Sequence, residues 1–201
     1  MKLFHSPGAC SLAPHIVLRE IGRPFTLVKV DLAAHKTTDG DDYYRTNPKG
    51  YVPLLELDSG QVLSEGPVIC QYLCDLAGRT DLMPAAGEMA RYRVMEWQAF
   101  IGTEVHKSLG ALFNPALDDQ AKATYAGMAK RRLQWVSEQL RGRQYLTGDD
   151  FTAADAYLFT VANWTGFVKM DIADCPELQA FQARVAARPA VQAALKAEGL
   201  V

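Results

Sequence analysis

MKLFHSPGACSLAPHIVLREIGRPFTLVKV, residues 1–30, decides the fold. Residues 1–5 form a short apolar run ended by Ser6-Pro7-Gly8, a turn signal, which predicts a strand and then a loop. Over residues 11–21, Leu12, Ile16 and Val17 return at helical spacing. Gly22 and then Pro24 supply the helix stop. Residues 25–30 alternate and are β-branched, as a second strand is. Two strands joined by a helix lie parallel in one sheet, because a parallel pair needs a crossover connection.

The pattern then changes. Residues 39–51 are polar with Gly and Pro, a loop with room for one helical turn. Residues 54–57 and 61–63 read as strands around Asp58-Ser59-Gly60, a hairpin signal. Residues 65–76 read as a helix, with Pro67 in its first turn and Val68, Tyr72 and Leu76 recurring every four residues. The order β-α-β, loop, β-β-α predicts a small mixed sheet covered by helices. Residues 78–87 hold Pro84 and no period, and a linker is placed at 81–87. Beyond it the chain is rich in Ala, Leu, Gln, Lys and Arg and predicts helices only, at about 88–109, 118–140, 153–168, 176–187 and 189–197. The expected domains are therefore 1–80, α/β, and 88–201, all-helical.

With 201 residues the chain holds one large domain or two small ones at roughly 150 residues each. Such a chain buries about 70% of its unfolded surface and needs no disulfide or metal staple. A charge of −2, from 21 Lys and Arg against 23 Asp and Glu, argues against nucleic acid as the main partner. No apolar run approaches the roughly 18–20 residues of a membrane helix, so no membrane partner is expected. The opening MKLFHSPGAC lacks the apolar stretch of a secretory signal, and the expectation is a cytoplasmic protein with reduced cysteines.

Cys10 follows a strand and a turn and stands where a helix begins. Free N–H groups and the helix dipole favour thiolate, the nucleophilic form, at such a place. The plainer reading is a small buried hydrophobe. Leu12 and Ala13 follow, so there is no Cys-x-x-Cys pair, and a resolving thiol must come from elsewhere. Ser11 either donates to a thiolate or caps the helix. Val52-Pro53 precedes a strand, and a cis proline there would leave backbone free for an extended peptide. Glu65-Gly66 opens a helix whose N–H groups suit a carboxylate and whose Glu suits an amine; the alternative is simple stabilisation of the helix dipole. Ala99, Thr103 and His106 share one face of a regular helix, as residues lining a cleft would; an interface or surface histidine is the alternative. Lys36 is either a partner for a carboxylate or a solvated loop lysine. His5, His15 and His35 have no evident partners and read as structural, Cys70 and Cys74 read as core, and no zinc-ligand spacing occurs, so no metal is expected. Thr152-Ala-Ala-Asp155 reads as a capping box, a folding device.

Taken together, the chain resembles the bacterial beta-class glutathione transferases over essentially all of its 201 residues. The likeness is carried by MKLF-x-x-PGACSL-x-x-H, by Asn47-Pro48-Lys49-Gly50-Tyr51-Val52-Pro53, by Glu65-Gly66, by Glu104-Val105-His106-Lys107 and by Phe151-Thr152-Ala153-Ala154-Asp155-Ala156-Tyr157. The resemblance implies a thioredoxin-like N-terminal domain, an all-α C-terminal domain and a homodimer binding glutathione. It implies Cys10 beside the glutathione sulfur with Ser11 and His106 assisting. Val52 and Pro53 would meet the cysteinyl part, Glu65 and Gly66 the γ-glutamyl end, and His35 or Lys36 the glycyl carboxylate. Thr103, Glu104 and His106 would contribute from the second domain. Phe113, Trp164 and Phe167 would line the electrophile pocket. Relatives often carry Ser at position 66, Lys at 35 and Asn at 99, where this chain has Gly66, His35 and Ala99. A reactive cysteine suits thiol–disulfide exchange with a mixed disulfide, reductive dehalogenation, and conjugation of small electrophiles. Two other readings share the sequence: a glutathione- or ligand-binding protein without turnover, and a redox protein acting through a partner.

Overall fold

β1 (Lys2–His5) runs parallel to β2 (Thr26–Asp31), with Leu3 opposite Leu27. Between them lies α1 (Leu12–Ile21), stopped by Gly22 in the left-handed conformation. β3 (Lys36–Thr37), a two-residue strand absent from the sequence reading, adds antiparallel to β2. A single 3-10 turn at Tyr43–Arg45 lies in the loop that follows. β4 (Leu54–Glu56) and β5 (Val62–Ser64) form the hairpin, and the sheet order is β3-β2-β1-β4-β5. The mixed thioredoxin-like sheet is as expected. The computed structural model describes residues 1–201, in two units: Met1–Thr80 with Arg188–Val201, and Asp81–Ala187.

Two features of the first unit differ from the sequence reading. α2 (Gly66–Ala77) buries Ile69, Cys70, Leu73 and Cys74, whereas Val68 and Leu76 are 46% and 38% exposed. This helix is apolar on more than one side, so the four-residue repeat picked the outer stripe. The second difference is α9 (Pro189–Glu198), which packs on α1 in the first unit although residues 88–201 were expected as one domain. With α2 also packed on α1, this cover leaves α1 buried from Leu12 through Leu18.

A buried polar cluster holds α9 in place. The Glu198 side chain is fully covered; its Oε1 accepts from His15 Nδ1 at 2.8 Å and its Oε2 from the Gly8 N–H at 2.9 Å. His5 Nδ1 lies 3.6 Å from the same Oε1. Arg19 Nε donates to His15 Nε2 at 3.2 Å, which fixes Nδ1 as the proton-bearing nitrogen. Burial pushes the Glu198 carboxyl up, but the bonds from His15 and the Gly8 N–H, with the His5 imidazole close by, outweigh it and its pKa is lowered. His5 and His15 are structural, as expected, but they converge on a partner that sequence distance hid.

The second unit is helical. α3 (Met89–Phe100), a π-helical turn at Ile101–His106 and α4 (Lys107–Ala111) replace the single expected helix. α5 (Asp119–Gln139) starts at Asp118, whose carboxylate accepts the Ala121 N–H at 2.7 Å. The expected 153–168 helix is two, α6 (Ala153–Ala162) and α7 (Trp164–Phe167), and α8 (Pro176–Ala186) follows. All ten residues of α6 are buried, and α3 and α8 pack on it. Asp155 is 0% exposed and accepts from Thr152 N–H, Thr152 Oγ and Leu146 N–H, each at 2.8 Å. The capping box is therefore also a clamp on the loop that precedes α6. No helix is long and apolar enough to cross a membrane.

Candidate active site

In the first unit, the residues singled out by sequence gather on the loops that leave β1, enter β4 and leave β5. Cys10 is partly exposed, and its Sγ–H donates to the Val52 carbonyl at 3.2 Å. The Val52–Pro53 bond is cis. The adjoining loop is pinned from within: Asn47 Nδ2 and Tyr43 Oη donate to the Tyr51 carbonyl at 2.7 and 3.1 Å. Gly50 (φ +73) is required here, since a Cβ would stand 2.5 Å from Tyr44 Cε1.

Ser11 fills neither expected role. It is fully buried, its backbone is α-helical rather than cap-like, and its hydroxyl donates to the Ser6 carbonyl and accepts the Ser6 N–H, both at 3.2 Å. It closes the β1–α1 loop that presents Cys10. The other cysteines are buried. Burial, with Cys74 alongside, pushes the Cys70 thiol up, and burial with Asp174 pushes Cys175 up to about 11. They are thereby poor nucleophiles.

Glu65 precedes α2 with φ +72, a conformation a non-glycine residue holds only when its surroundings impose it. Its Oε1 accepts from Lys49 Nζ at 2.9 Å and Tyr51 Oη at 3.2 Å, neighbours the sequence reading did not single out. At Gly66 a Cβ would meet only Pro53 Cγ, at 3.7 Å, so nothing steric forbids a serine there. His35 is half-buried, donates from Nδ1 to the Gly50 carbonyl at 2.9 Å and stacks on Tyr44. Lys36 is exposed on β3.

In the second unit, His106 ends the π-helical turn, so the regular-helix spacing used for Ala99, Thr103 and His106 does not hold there. Its Nδ1 lies 2.6 Å from Tyr157 Oη, and its ring meets Trp164 edge-on at 4.8 Å. Phe113 meets the same Trp164 at 5.8 Å. Trp164 is buried, whereas Phe113 and Phe167 are half or more exposed. Tyr157, which the sequence offers only as the end of the Phe151–Tyr157 stretch, joins this group through its hydroxyl. Thr103 Oγ donates to the Ala99 carbonyl at 3.0 Å, and Glu104 pairs with Arg132 at 2.7 Å.

Family models described as "Glutathione S-transferase, N-terminal domain" and "Glutathione S-transferase, C-terminal domain" match residues 8–76 and 103–198. The chain is 47% identical over 200 residues to glutathione S-transferase GstA of Escherichia coli O157:H7, with all of both chains covered. A sphingomonad glutathione S-transferase solved with glutathione is 49% identical, with TM-score 0.95 and all of both chains covered. A bacterial beta class enzyme of Sphingomonas chungbukensis is 46% identical, with TM-score 0.97 and the same coverage. The chain belongs to the glutathione S-transferase family, in its bacterial beta class. It is an enzyme, and glutathione is its co-substrate.

Proposed function

We propose that this chain reduces mixed disulfides through Cys10 and also conjugates or reductively dehalogenates small electrophiles. The observation that carries this reading is the Cys10 thiol bonded to the Val52 carbonyl at the cis-proline loop. A tripeptide whose backbone pairs with Val52 competes for the carbonyl and releases the sulfur for attack. In disulfide reduction the Cys10 thiolate attacks the glutathione sulfur of G–S–S–R, forming Cys10–S–S–G and expelling RS⁻. A second glutathione thiolate attacks that mixed disulfide, yields glutathione disulfide and regenerates Cys10. In dehalogenation, glutathione first displaces halide from R–X. Cys10 then attacks the sulfur of G–S–R, a proton is taken up, R–H leaves, and the same mixed disulfide results.

Val52, Pro53, Glu65 and Gly66 hold the tripeptide in this reading, with His35 or Lys36 toward its glycyl end, and Thr103 and Glu104 contribute from the second unit. Phe113, Trp164 and Phe167 offer an apolar surface to the electrophile. Ser11 supports the loop and is not a catalyst. Incubation with glutathione disulfide followed by peptide mass mapping tests the intermediate. One glutathione on Cys10, removed by dithiothreitol, with Cys70, Cys74 and Cys175 unmodified, is the expected result. Label spread over the buried cysteines would defeat it.

His106 serves the same chemistry by passing a proton, its ring oriented by Tyr157 and Trp164. His106→Ala is expected to lower turnover about tenfold or more at unchanged melting temperature. Normal turnover with lost stability would return His106 to a structural role. We further propose a cytoplasmic, detoxifying homodimer. Its support is the family likeness and the exposed Val68 and Leu76 on α2 and Met89 and Tyr92 on α3, an outlay of apolar surface that association would cover. Sedimentation velocity at low micromolar protein reads the oligomeric state directly.

A further inference from the structure

We propose that Lys49 is a specificity-determining residue: with Glu65 it forms a two-charge receptor for the zwitterionic end of an α-amino acid. The inference rests on the glutathione reading above and assigns to Lys49 the α-carboxylate of the γ-glutamyl end.

Lys49 Nζ lies 2.9 Å from Glu65 Oε1 and 3.0 Å from Ser64 Oγ, and 5.6 Å from the centre of the Tyr51 ring. Tyr51 Oη donates to the same carboxylate oxygen. The Lys49 backbone is set by its N–H bond to Asn47 Oδ1 at 3.2 Å. One cation, one anion and one phenol thus converge beside the first turn of α2.

The Lys49 and Glu65 side chains are 48% and 55% exposed. A pair this open contributes little to stability, so the pair rearranges around a ligand at little cost. The rearrangement has a charge condition. When a ligand ammonium takes the Glu65 carboxylate, Lys49 loses its counter-ion and faces a second cation. A carboxylate on the same ligand carbon restores it, on the side where the α2 N–H groups also favour an anion. A ligand with both charges leaves every ion paired; a ligand with one leaves either Lys49 or Glu65 against a like charge. Glu65 also raises the Lys49 pKa, so Lys49 is the charged partner throughout the neutral range.

The test is a binding cycle by titration calorimetry with three S-methylated tripeptides. These are S-methylglutathione, its 4-aminobutyryl analogue lacking the α-carboxylate, and its glutaryl analogue lacking the α-ammonium. With the unaltered protein, loss of the carboxylate is expected to weaken binding by about fivefold, the size of one partly exposed ion pair. With Lys49→Met the same loss is expected to cost less than about twofold, Lys49→Arg to restore the penalty, and loss of the ammonium to keep its full cost in both. An equal carboxylate penalty with Lys and with Met overturns the role of Lys49 while leaving glutathione binding intact. Failure of S-methylglutathione to bind the unaltered protein overturns the underlying reading instead.

Discussion

Cys10→Ala is expected to lower glutathione-dependent reduction of a mixed disulfide by about a hundredfold or more while binding of S-methylglutathione changes by less than about threefold. The loss is large because no other side chain can carry the covalent step. The Ser11 hydroxyl is bound on both sides to the Ser6 backbone, and Cys70, Cys74 and Cys175 are buried. Binding is expected to survive because the contacts proposed for the tripeptide at Val52, Glu65 and Gly66 do not involve the sulfur. Conjugation, in which the glutathione thiolate itself attacks, is expected to persist. Stopped assays with a glutathione mixed disulfide and with an aryl halide separate the two activities. Disulfide reduction at the unaltered rate in Cys10→Ala would falsify the covalent route.

The second large effect concerns folding. Asp155→Ala strips the acceptor from two buried N–H groups, Leu146 and Thr152, and from the Thr152 hydroxyl. Each unsatisfied buried donor costs about 1–3 kcal/mol, and the expected loss of stability is about 3 kcal/mol. That exceeds the 0.5–2 kcal/mol of an ordinary cap, because the side chain also clamps the preceding loop. Burial pushes the Asp155 carboxyl up to about 6 despite its three hydrogen bonds. In the unfolded chain an Asp titrates near 3.9. The folded state therefore binds this proton more tightly. The stability it lends is complete below about pH 4 and is lost as pH rises through about 6. Asp155→Asn has no such titration, so urea midpoints should shift in favour of the Asn variant between pH 4 and 7, by about 2–3 kcal/mol. A difference independent of pH would show that the carboxylate stays charged throughout.

Local patterns in the sequence were reliable where neighbours in the chain make the structure. The β1-α1-β2 crossover, the hairpin at Asp58-Ser59-Gly60 and the box at Thr152 and Asp155 all depend on residues a few positions apart, and all three are present. The helical period alone does not identify the buried face of α2, because Val68 and Leu76 fit it as well as Ile69 and Leu73 do; only the packing of α1 tells them apart. The π-helical turn that ends at His106 leaves no periodic trace. Gly102, where a Cβ would lie 3.5 Å from Tyr157 Oη, is its one local hint. At the site, Cys10 and Glu65 stood out by their positions at helix starts. Lys49, Tyr51 and Tyr157 did not, because a loop lysine and two tyrosines acquire meaning only from what the fold sets beside them.

The placement of Glu198 ties the first unit to the order in which the chain is made. When residues 1–80 have left the ribosome, His15 and the Gly8 N–H have no carboxylate, and the apolar side of α1 that α9 covers is bare. More than a hundred further residues must be synthesised before that surface is sealed, at about 5–20 residues per second a delay of several seconds. The loop that carries Cys10 thus reaches its final support only after the whole helical unit has emerged. A nascent chain stalled at Ala187 would hold Cys10 on an unfinished scaffold.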